Sequence, residues 1–551
     1  MINKVGLTSI FLLFSLSNHL QGQVSITLKL NMESLVEQGL FKPQNGEKIC
    51  VRGSFNNWNG NAYELKSLSD DEIFSETFKI EAKIGDTIEY KFIIVWADEK
   101  IYWENKPNPD NKENGNRQLI IASKDIVLPT DTFSYDEFIA FPVVFSKKKL
   151  QEDYIQFRNV LEDNHPALYD YSSKATLDSL FERQFVLIQD ELAFNDYYKL
   201  LSSLLSKIGC GHTKLWIPGK YWDVTPEKLF PFKLYLSKNS VLISGSYSNV
   251  NDIPIGSEVV SINGQIIWEI IDSLVSIESA DGHNMAFKFK TVEKNFSKKY
   301  ALYFGFPERF EITFVAPGEV KKRHTVLSPV SVDTINKFNT KENELSLKEL
   351  PEYNTAILTI NTFSYYSEVD MFQSFIDSTF QLIKDKKVSN LIMDLRGNDG
   401  GDPFCSSYLF SYLEPKSLPY FAEPYGKYTP LADPIPLAEN HFTGKLYTLI
   451  DGRCFSTTGH FTSLLKYHKI GKFVGSETGA TYTCTGNVMY PILKNTKLFV
   501  GTARVNRYST AVSNMDRTRG VLPDYEVLKS QQDIIENKDA VFEYAISLIK
   551  E

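Results

Sequence analysis

The spacing of apolar residues divides this chain into segments of different period. Over residues 23–128 apolar and polar positions alternate in short runs, at 24–30, 49–53, 74–80, 88–95 and 118–121, each bounded by turn-forming residues. Alternation on this scale predicts a small β-sandwich. Residues 129–145, which include Pro129 and Pro142, read as a linker. The period then becomes helical. Leu150, Tyr154, Phe157, Val160 and Leu161, then Leu177, Leu180, Phe181, Phe185 and Ile188, then Tyr197, Leu200, Leu201, Leu204 and Leu205 recur three and four apart. These sets predict a small helical bundle over 146–228. Asn164-His165-Pro166 ends the first helix, because proline cannot continue it, and His165 reads there as a turn residue. Short strands return over 229–330. Residues 331–551 alternate strand-length apolar runs (353–360, 388–393, 446–450) with helical stretches (371–386, 404–413, and from the second turn to Tyr467). Strands over 488–493 and 497–505 and a closing amphipathic helix from Gln532 complete the segment. The chain is therefore expected to be a multidomain α+β protein ending in an α/β core.

Two turns in that core carry the candidate chemistry. Asp394-Leu395-Arg396-Gly397-Asn398-Asp399-Gly400-Gly401 follows one apolar run, and Arg453-Cys454-Phe455-Ser456-Thr457-Thr458-Gly459-His460 follows the next. Strand, tight turn of small residues, helix is how an α/β fold presents a hydroxyl and backbone N–H groups at a sheet edge. Ser456, at a helix start, faces the positive end of the helix dipole, and Gly400-Gly401 can leave N–H groups directed at a developing oxyanion. Taken singly, the turns read as an N-cap serine and a β-turn; together and in this order they predict a nucleophile and an oxyanion hole. Cys454, at the strand end, and His460, one helical turn past the serine, read as packing positions. Asp394 and Arg396 read as a structural pair.

Composition narrows the setting. Hydrophobic residues are 42% and aromatic residues 13% of 551, enough for several cores. A net charge of −9 argues against nucleic acid and anionic membrane as partners. The five cysteines (Cys50, Cys210, Cys405, Cys454, Cys484) are odd in number and show no Cys-x-x-Cys spacing. They read as buried thiols, with neither a disulfide framework nor a metal site, and no cofactor is expected. Lys4, the apolar stretch 10–16 and Leu20-Gln21-Gly22 predict a signal peptide over 1–22, with no lipobox cysteine after it. No other run approaches the roughly 18 apolar residues of a membrane helix. The mature protein is expected to be exported, periplasmic or extracellular.

The two turns, followed by Val474-Gly475-Ser476-Glu477-Thr478-Gly479, resemble the core of the C-terminal processing (tail-specific) and tricorn-like serine peptidases, a likeness that runs from about Ser146 to Asn537. It implies a crotonase-like α/β core and acyl-enzyme cleavage of peptide bonds. Ser456 would be the nucleophile, with Gly400 or Gly401 and Thr457 as oxyanion donors. Two arrangements of the base occur in the family. Where a Ser–Lys member has lysine, this chain has Thr481, and no lysine lies between Lys472 and Lys494. The tricorn-like arrangement uses histidine, and His212 in Ile208-Gly209-Cys210-Gly211-His212-Thr213 matches that place, although Gly211 stands where tricorn has serine. Asp516, one place from the expected glutamate in Asp516-Arg517-Thr518-Arg519-Gly520-Val521-Leu522-Pro523-Asp524, is the first choice to orient His212, and Glu477 the second.

Gly256-Ser257-Glu258-Val259-Val260-Ser261-Ile262-Asn263-Gly264-Gln265 resembles the glycine turn of PDZ domains, with Ser257 in place of Asp, and implies a peptide groove over 229–330. Val51-Arg52-Gly53-Ser54-Phe55-Asn56-Asn57-Trp58, Tyr90-Lys91-Phe92-Ile93, Tyr102-Trp103-Glu104 and Pro107-Asn108 resemble starch- and glycogen-binding modules. That likeness makes Trp58 and Trp103 candidate glucan contacts, Trp103 the more exposed platform and Trp58 alternatively a core residue. Two other readings stay open: a catalytically inactive peptidase-fold binding protein for glucan or peptide, and a hydrolase of another acyl bond.

Overall fold

The structure, a computed structural model, describes residues 22–37, 41–67, 72–97, 99–104, 116–133, 143–247, 253–338, 345–504 and 507–551. The expected signal peptide up to residue 21, Pro107, Asn108 and linker residues 134–142 lie outside the described residues. The chain forms two compact units, Met1–Phe141 and Pro142–Glu551.

In the first unit, strand Gln23–Asn31 buries every second side chain, Val24, Ile26, Leu28 and Leu30. It pairs antiparallel along its length with Ile73–Glu81 and parallel on its other edge with Asp125–Val127. Lys48–Gly53 pairs with Thr87–Val95, which continues antiparallel to Ile101–Trp103. Leu28, Ile49, Phe74, Phe92 and Ile94 share one core, as the period-two pattern requires. The linker starts later than expected, because Asp131 and Thr132 pair with Leu30 and Asn31. Beneath Thr132, the buried Arg117 guanidinium is held by Glu104 at 2.7 Å and by Asp131.

The second unit opens on helices Lys147–Asn164, Lys174–Val186 and Phe194–Leu205. Their apolar stripes meet where Phe181 packs on Tyr154 and Phe157, and the Tyr197 hydroxyl donates to the Leu150 carbonyl at 2.9 Å. Next comes an antiparallel sheet in the order Phe232–Leu236, Val241–Ser246, Glu258–Ile262, Phe310–Val315, Lys322–Leu327. Helices Ile267–Ser276 and Met285–Phe304 cover it through Ile270, Leu274, Val292 and Phe296. Helix Val332–Phe338 packs back onto this domain, with Ile335 against Leu229, Tyr247 and Ala301. The core sheet therefore begins at Leu345, later than the expected boundary at 331.

That sheet runs Leu345–Leu350, Thr355–Ile360, Asn390–Asp394, Lys445–Ile450, Lys472–Gly475, Tyr525–Glu526. The first pair is antiparallel and the rest parallel. Asn390–Asp394 and Lys445–Ile450 are buried on both faces, which is why they read as unbroken apolar runs. Val369–Asp385 and Thr457–Tyr467 pack on one face, Ala540–Lys550 on the other. The expected strand 488–493 shortens to Val488–Met489 and the next to Phe499–Ala503; the closing helix is two, Gln531–Ile535 and Ala540–Lys550. Phe499–Ala503 pairs antiparallel with Lys214–Trp216, which fastens the end of the helical segment, and His212 with it, to the core. Among the described residues no helix is long and apolar enough to cross a membrane.

Candidate active site

Strand Lys445–Ile450 ends in a turn that brings Ser456 to the head of helix Thr457–Tyr467 with φ +54° and ψ −124°. A non-glycine residue in that region is strained, and such strain persists only where the surroundings hold it. Here Gly479 and Ala480 N–H groups fasten the Cys454 carbonyl, and the Phe455 N–H donates to the Asn398 carbonyl at 3.0 Å. The turn thereby lifts the serine side chain out of the sheet edge.

His212 meets Ser456 across 244 positions of sequence, Nε2 to Oγ at 2.9 Å. Its turn needs both glycines. Gly209 has φ +77°, and a Cβ on Gly211 would lie 2.7 Å from the Phe455 ring. That ring tilts against the imidazole at 4.7 Å and stacks on Phe287 at 4.3 Å. Burial drives the His212 pKa down to about 3, with Lys214, His460 and His165 adding to the effect. The imidazole is neutral at neutral pH, the state a base requires.

The glycine loop lies directly against this pair. A Cβ on Gly400 (φ +100°) would sit 2.8 Å from the Ser456 Cβ and 2.9 Å from the Thr457 nitrogen. Gly401 (φ +148°) is clamped to Phe363 by the Phe363 N–H on the Gly400 carbonyl and the Asp402 N–H on the Phe363 carbonyl. Its own carbonyl accepts from the Thr457 hydroxyl at 2.6 Å. Of the three expected oxyanion donors, Gly400 is corrected: its N–H is already spent on the Asn398 side-chain oxygen at 2.9 Å. The N–H groups of Gly401 and Thr457 donate to no protein acceptor and border the cavity beside Ser456. Asn398 was not singled out in the sequence. Fully buried, it receives the Thr458 hydroxyl at 2.8 Å and donates to the Ile360 carbonyl at 2.9 Å. It thus joins the glycine loop, the serine helix and the neighbouring strand.

Neither acid chosen for His212 reaches it. Asp516 is exposed and spends its carboxylate on the Thr518 N–H and hydroxyl at 2.8 and 2.7 Å. Glu477 takes the Arg519 guanidinium and the Gly520 N–H. The His212 Nδ1 is buried with no partner. Cys454 is fully buried, its thiol on the Leu395 carbonyl at 3.1 Å and its pKa pushed well up by burial. His460 is buried too, edge-on to Phe421 and 3.3 Å from the Cys484 sulfur. Arg396 bridges Asp394 and Asp539, behind the sheet edge. All five cysteines are free and buried, and the described residues hold no metal-ligating cluster.

A cavity of about 750 Å³ opens over Ser456 and His212, walled by Phe421, Tyr425, Tyr428, Tyr508, Tyr366 and Lys427. In the first unit, Asn57 and Trp58 both adopt positive φ, +51° and +57°. That turn leaves Trp58 half-exposed, outside the core, its ring 6.2 Å from the equally half-exposed Trp103. Arg52 lies over the Trp103 ring at 5.3 Å.

Comparison with known proteins agrees with both units. Residues 354–527 match the model of Peptidase family S41, and residues 35–118 match that of a starch binding domain. Among solved structures, the chain is similar to mature CPAF, with a TM-score of 0.54 and 13% identity over 73% of this chain and 97% of that one. Mature CPAF complexed with lactacystin gives a TM-score of 0.52 and 13% identity over 73% of this chain and 98% of that one. Similarity to the tricorn protease gives a TM-score of 0.39 and 15% identity over 89% of this chain and 48% of that one. No curated protein matches the sequence.

Proposed function

We propose that this chain, which carries a Peptidase family S41 segment over residues 354–527 and a starch binding domain over 35–118, is an exported serine peptidase of Ser–His type. The observation that carries this reading is the 2.9 Å contact between His212 Nε2 and Ser456 Oγ. The absence of any lysine between Lys472 and Lys494 favours histidine over lysine as the base, and Thr481, at the lysine's place, donates its hydroxyl to the Asp516 carbonyl at 3.2 Å.

In the reaction, His212 Nε2 accepts the Ser456 hydroxyl proton as Oγ attacks a peptide carbonyl carbon. The oxyanion is held by the Gly401 and Thr457 N–H groups, each worth about 3 kcal/mol in the transition state. Protonated His212 then gives its proton to the leaving amine. Water, deprotonated by the same imidazole, cleaves the ester on Ser456. The aromatic walls of the cavity suit apolar side chains flanking the cleaved bond. The domain over 229–330 is PDZ-like in this reading. Its edge strand Phe232–Leu236 is the place where an extended peptide can add to the sheet, and Ser257, buried at the start of Glu258–Ile262, replaces the usual aspartate.

A peptide library tests the substrate class. Wild type is expected to cut it and Ser456→Ala to lose activity by a factor on the order of 10⁶. Cleavage of activated esters without any peptide would move the assignment to another acyl bond.

The starch binding domain is expected to bind glucan through the half-exposed pair Trp58 and Trp103, whose faces stack on sugar rings. In affinity electrophoresis on glucan gels, Trp103→Ala should migrate like a non-binding protein while wild type is retarded. Equal mobility of the two would remove the glucan contact.

A further inference from the structure

We infer that Asp281, in the loop between helices Ile267–Ser276 and Met285–Phe304, is the positioning residue for His212, its carboxylate taking the Nδ1–H while Nε2 faces Ser456. This rests on the serine peptidase reading and adds to it the acid that neither Asp516 nor Glu477 supplies.

An imidazole that accepts a proton at Nε2 must carry its own hydrogen on Nδ1, and a buried N–H needs an acceptor. His212 Nδ1 is buried without one. Asp281 is 5% exposed. Its Oδ1 accepts the N–H of Gly211, the residue before His212, at 2.7 Å. Its Oδ2 is buried and has no partner at all. One orphaned donor and one orphaned acceptor thus flank the same short stretch of backbone.

The loop is built to hold this carboxylate in place. The Gly282 N–H donates to the Gly209 carbonyl at 2.9 Å, in the turn that carries His212. Gly282 has φ +58°, and a Cβ there would lie 2.6 Å from the Thr518 backbone. Asn284 caps the following helix through the Phe287 N–H and donates to the Thr478 carbonyl at 2.8 Å. Both the histidine turn and the core therefore fix Asp281.

Nothing else competes for Oδ2. Tyr171, Cys210 and Cys484 lie within electrostatic reach of the carboxylate. The Tyr171 hydroxyl is on the Arg517 carbonyl, Cys210 is on Thr485 and Cys484 is on His460. Around the imidazole stand Lys214, His165 and His460. Burial pushes the Asp281 carboxyl up to about 7 while it holds the His212 imidazolium down. Brought together, imidazolium and carboxylate neutralise each other, so the pair can take up the serine proton that a lone buried imidazole resists.

Asp281→Asn separates this role from a structural one. The amide oxygen can still accept the Gly211 N–H, but its NH₂ then faces Nδ1 and favours the tautomer with hydrogen on Nε2, which cannot take the serine proton. The full-length variant should keep the wild-type melting curve and a KM within about twofold, with kcat lower by about 10⁴-fold. Wild-type kcat/KM should fall on the acid side as the pair takes up a proton, and Asp281→Asn should lose that limb. If the variant fails to fold, ¹⁵N-histidine-labelled wild type is read instead, for a far-downfield N–H proton on His212 Nδ1. A kcat within about threefold of wild type in folded Asp281→Asn, or no such proton, overturns the role of Asp281 and leaves the peptidase reading standing. A wild type that cleaves no peptide overturns that reading itself.

Discussion

Replacing His212 by alanine is expected to lower kcat by a factor on the order of 10⁵–10⁶ while leaving KM nearly unchanged. The imidazole touches the nucleophile at 2.9 Å and takes its proton only as the carbonyl is attacked, so its loss falls on the transition state. The rate should not drop to that of water, because Gly401 and Thr457 still present their N–H groups to the oxyanion. The double variant His212→Ala, Ser456→Ala should be no slower than either single one, since the two side chains act as one unit. Steady-state kinetics on a peptide cut by wild type measure all three. A His212→Ala enzyme within about tenfold of wild type would show that another group takes the serine proton.

Gly401→Ala carries the second large effect, and it strikes stability and chemistry together. At φ +148° an L side chain is strained, and the new Cβ would overlap the carbonyl of Phe363. The loop would have to leave Phe363, breaking the Phe363–Gly400 and Asp402–Phe363 bonds and the Thr457 hydroxyl's bond to the Gly401 carbonyl. Overlap with backbone cannot be relieved by turning a side chain, so a cost above about 3 kcal/mol is expected. In a unit as large as Pro142–Glu551 that lowers Tm by about 4 °C. Whatever folds should also lose at least ~10²-fold in kcat, because one oxyanion donor is displaced. Gly397→Ala is the matched control. Its φ is +74°, but nothing lies within 4 Å of the added Cβ, so the cost is only the ~1–2 kcal/mol of a left-handed alanine.

Much of this site could be read from residue order. The two turns gave themselves away because each follows an apolar run that the parallel sheet buries on both faces, and Ser456 and His212 lie where the family resemblance carries the nucleophile and the base. The choice of an acid for His212 failed for local reasons. Asp516 stands two residues before Thr518, and an Asp-x-Thr turn satisfies its carboxylate within itself. Glu477 is drawn off by Arg519. Asp281 sits in a loop far from either motif, and only the stretch Asp281-Gly282-His283-Asn284 ahead of an apolar helix hinted at a fixed turn. Gly400 was misread because its N–H is consumed by a side chain only two residues away, Asn398, which is held inward by the Ile360 carbonyl and the Thr458 hydroxyl. Trp58 escaped the core reading through a run of two left-handed residues, Asn57 and Trp58, which alternation of period two does not reveal.

In the proposed reaction the Ser456 hydroxyl is made nucleophilic by the imidazole beside it. A fluorophosphonate probe followed by peptide mass mapping addresses it without knowledge of the substrate. The probe mass should appear on Ser456 in the wild-type protein, fall to background in His212→Ala and be absent in Ser456→Ala. No adduct on folded wild type, or one that persists on another residue in Ser456→Ala, would contradict the account.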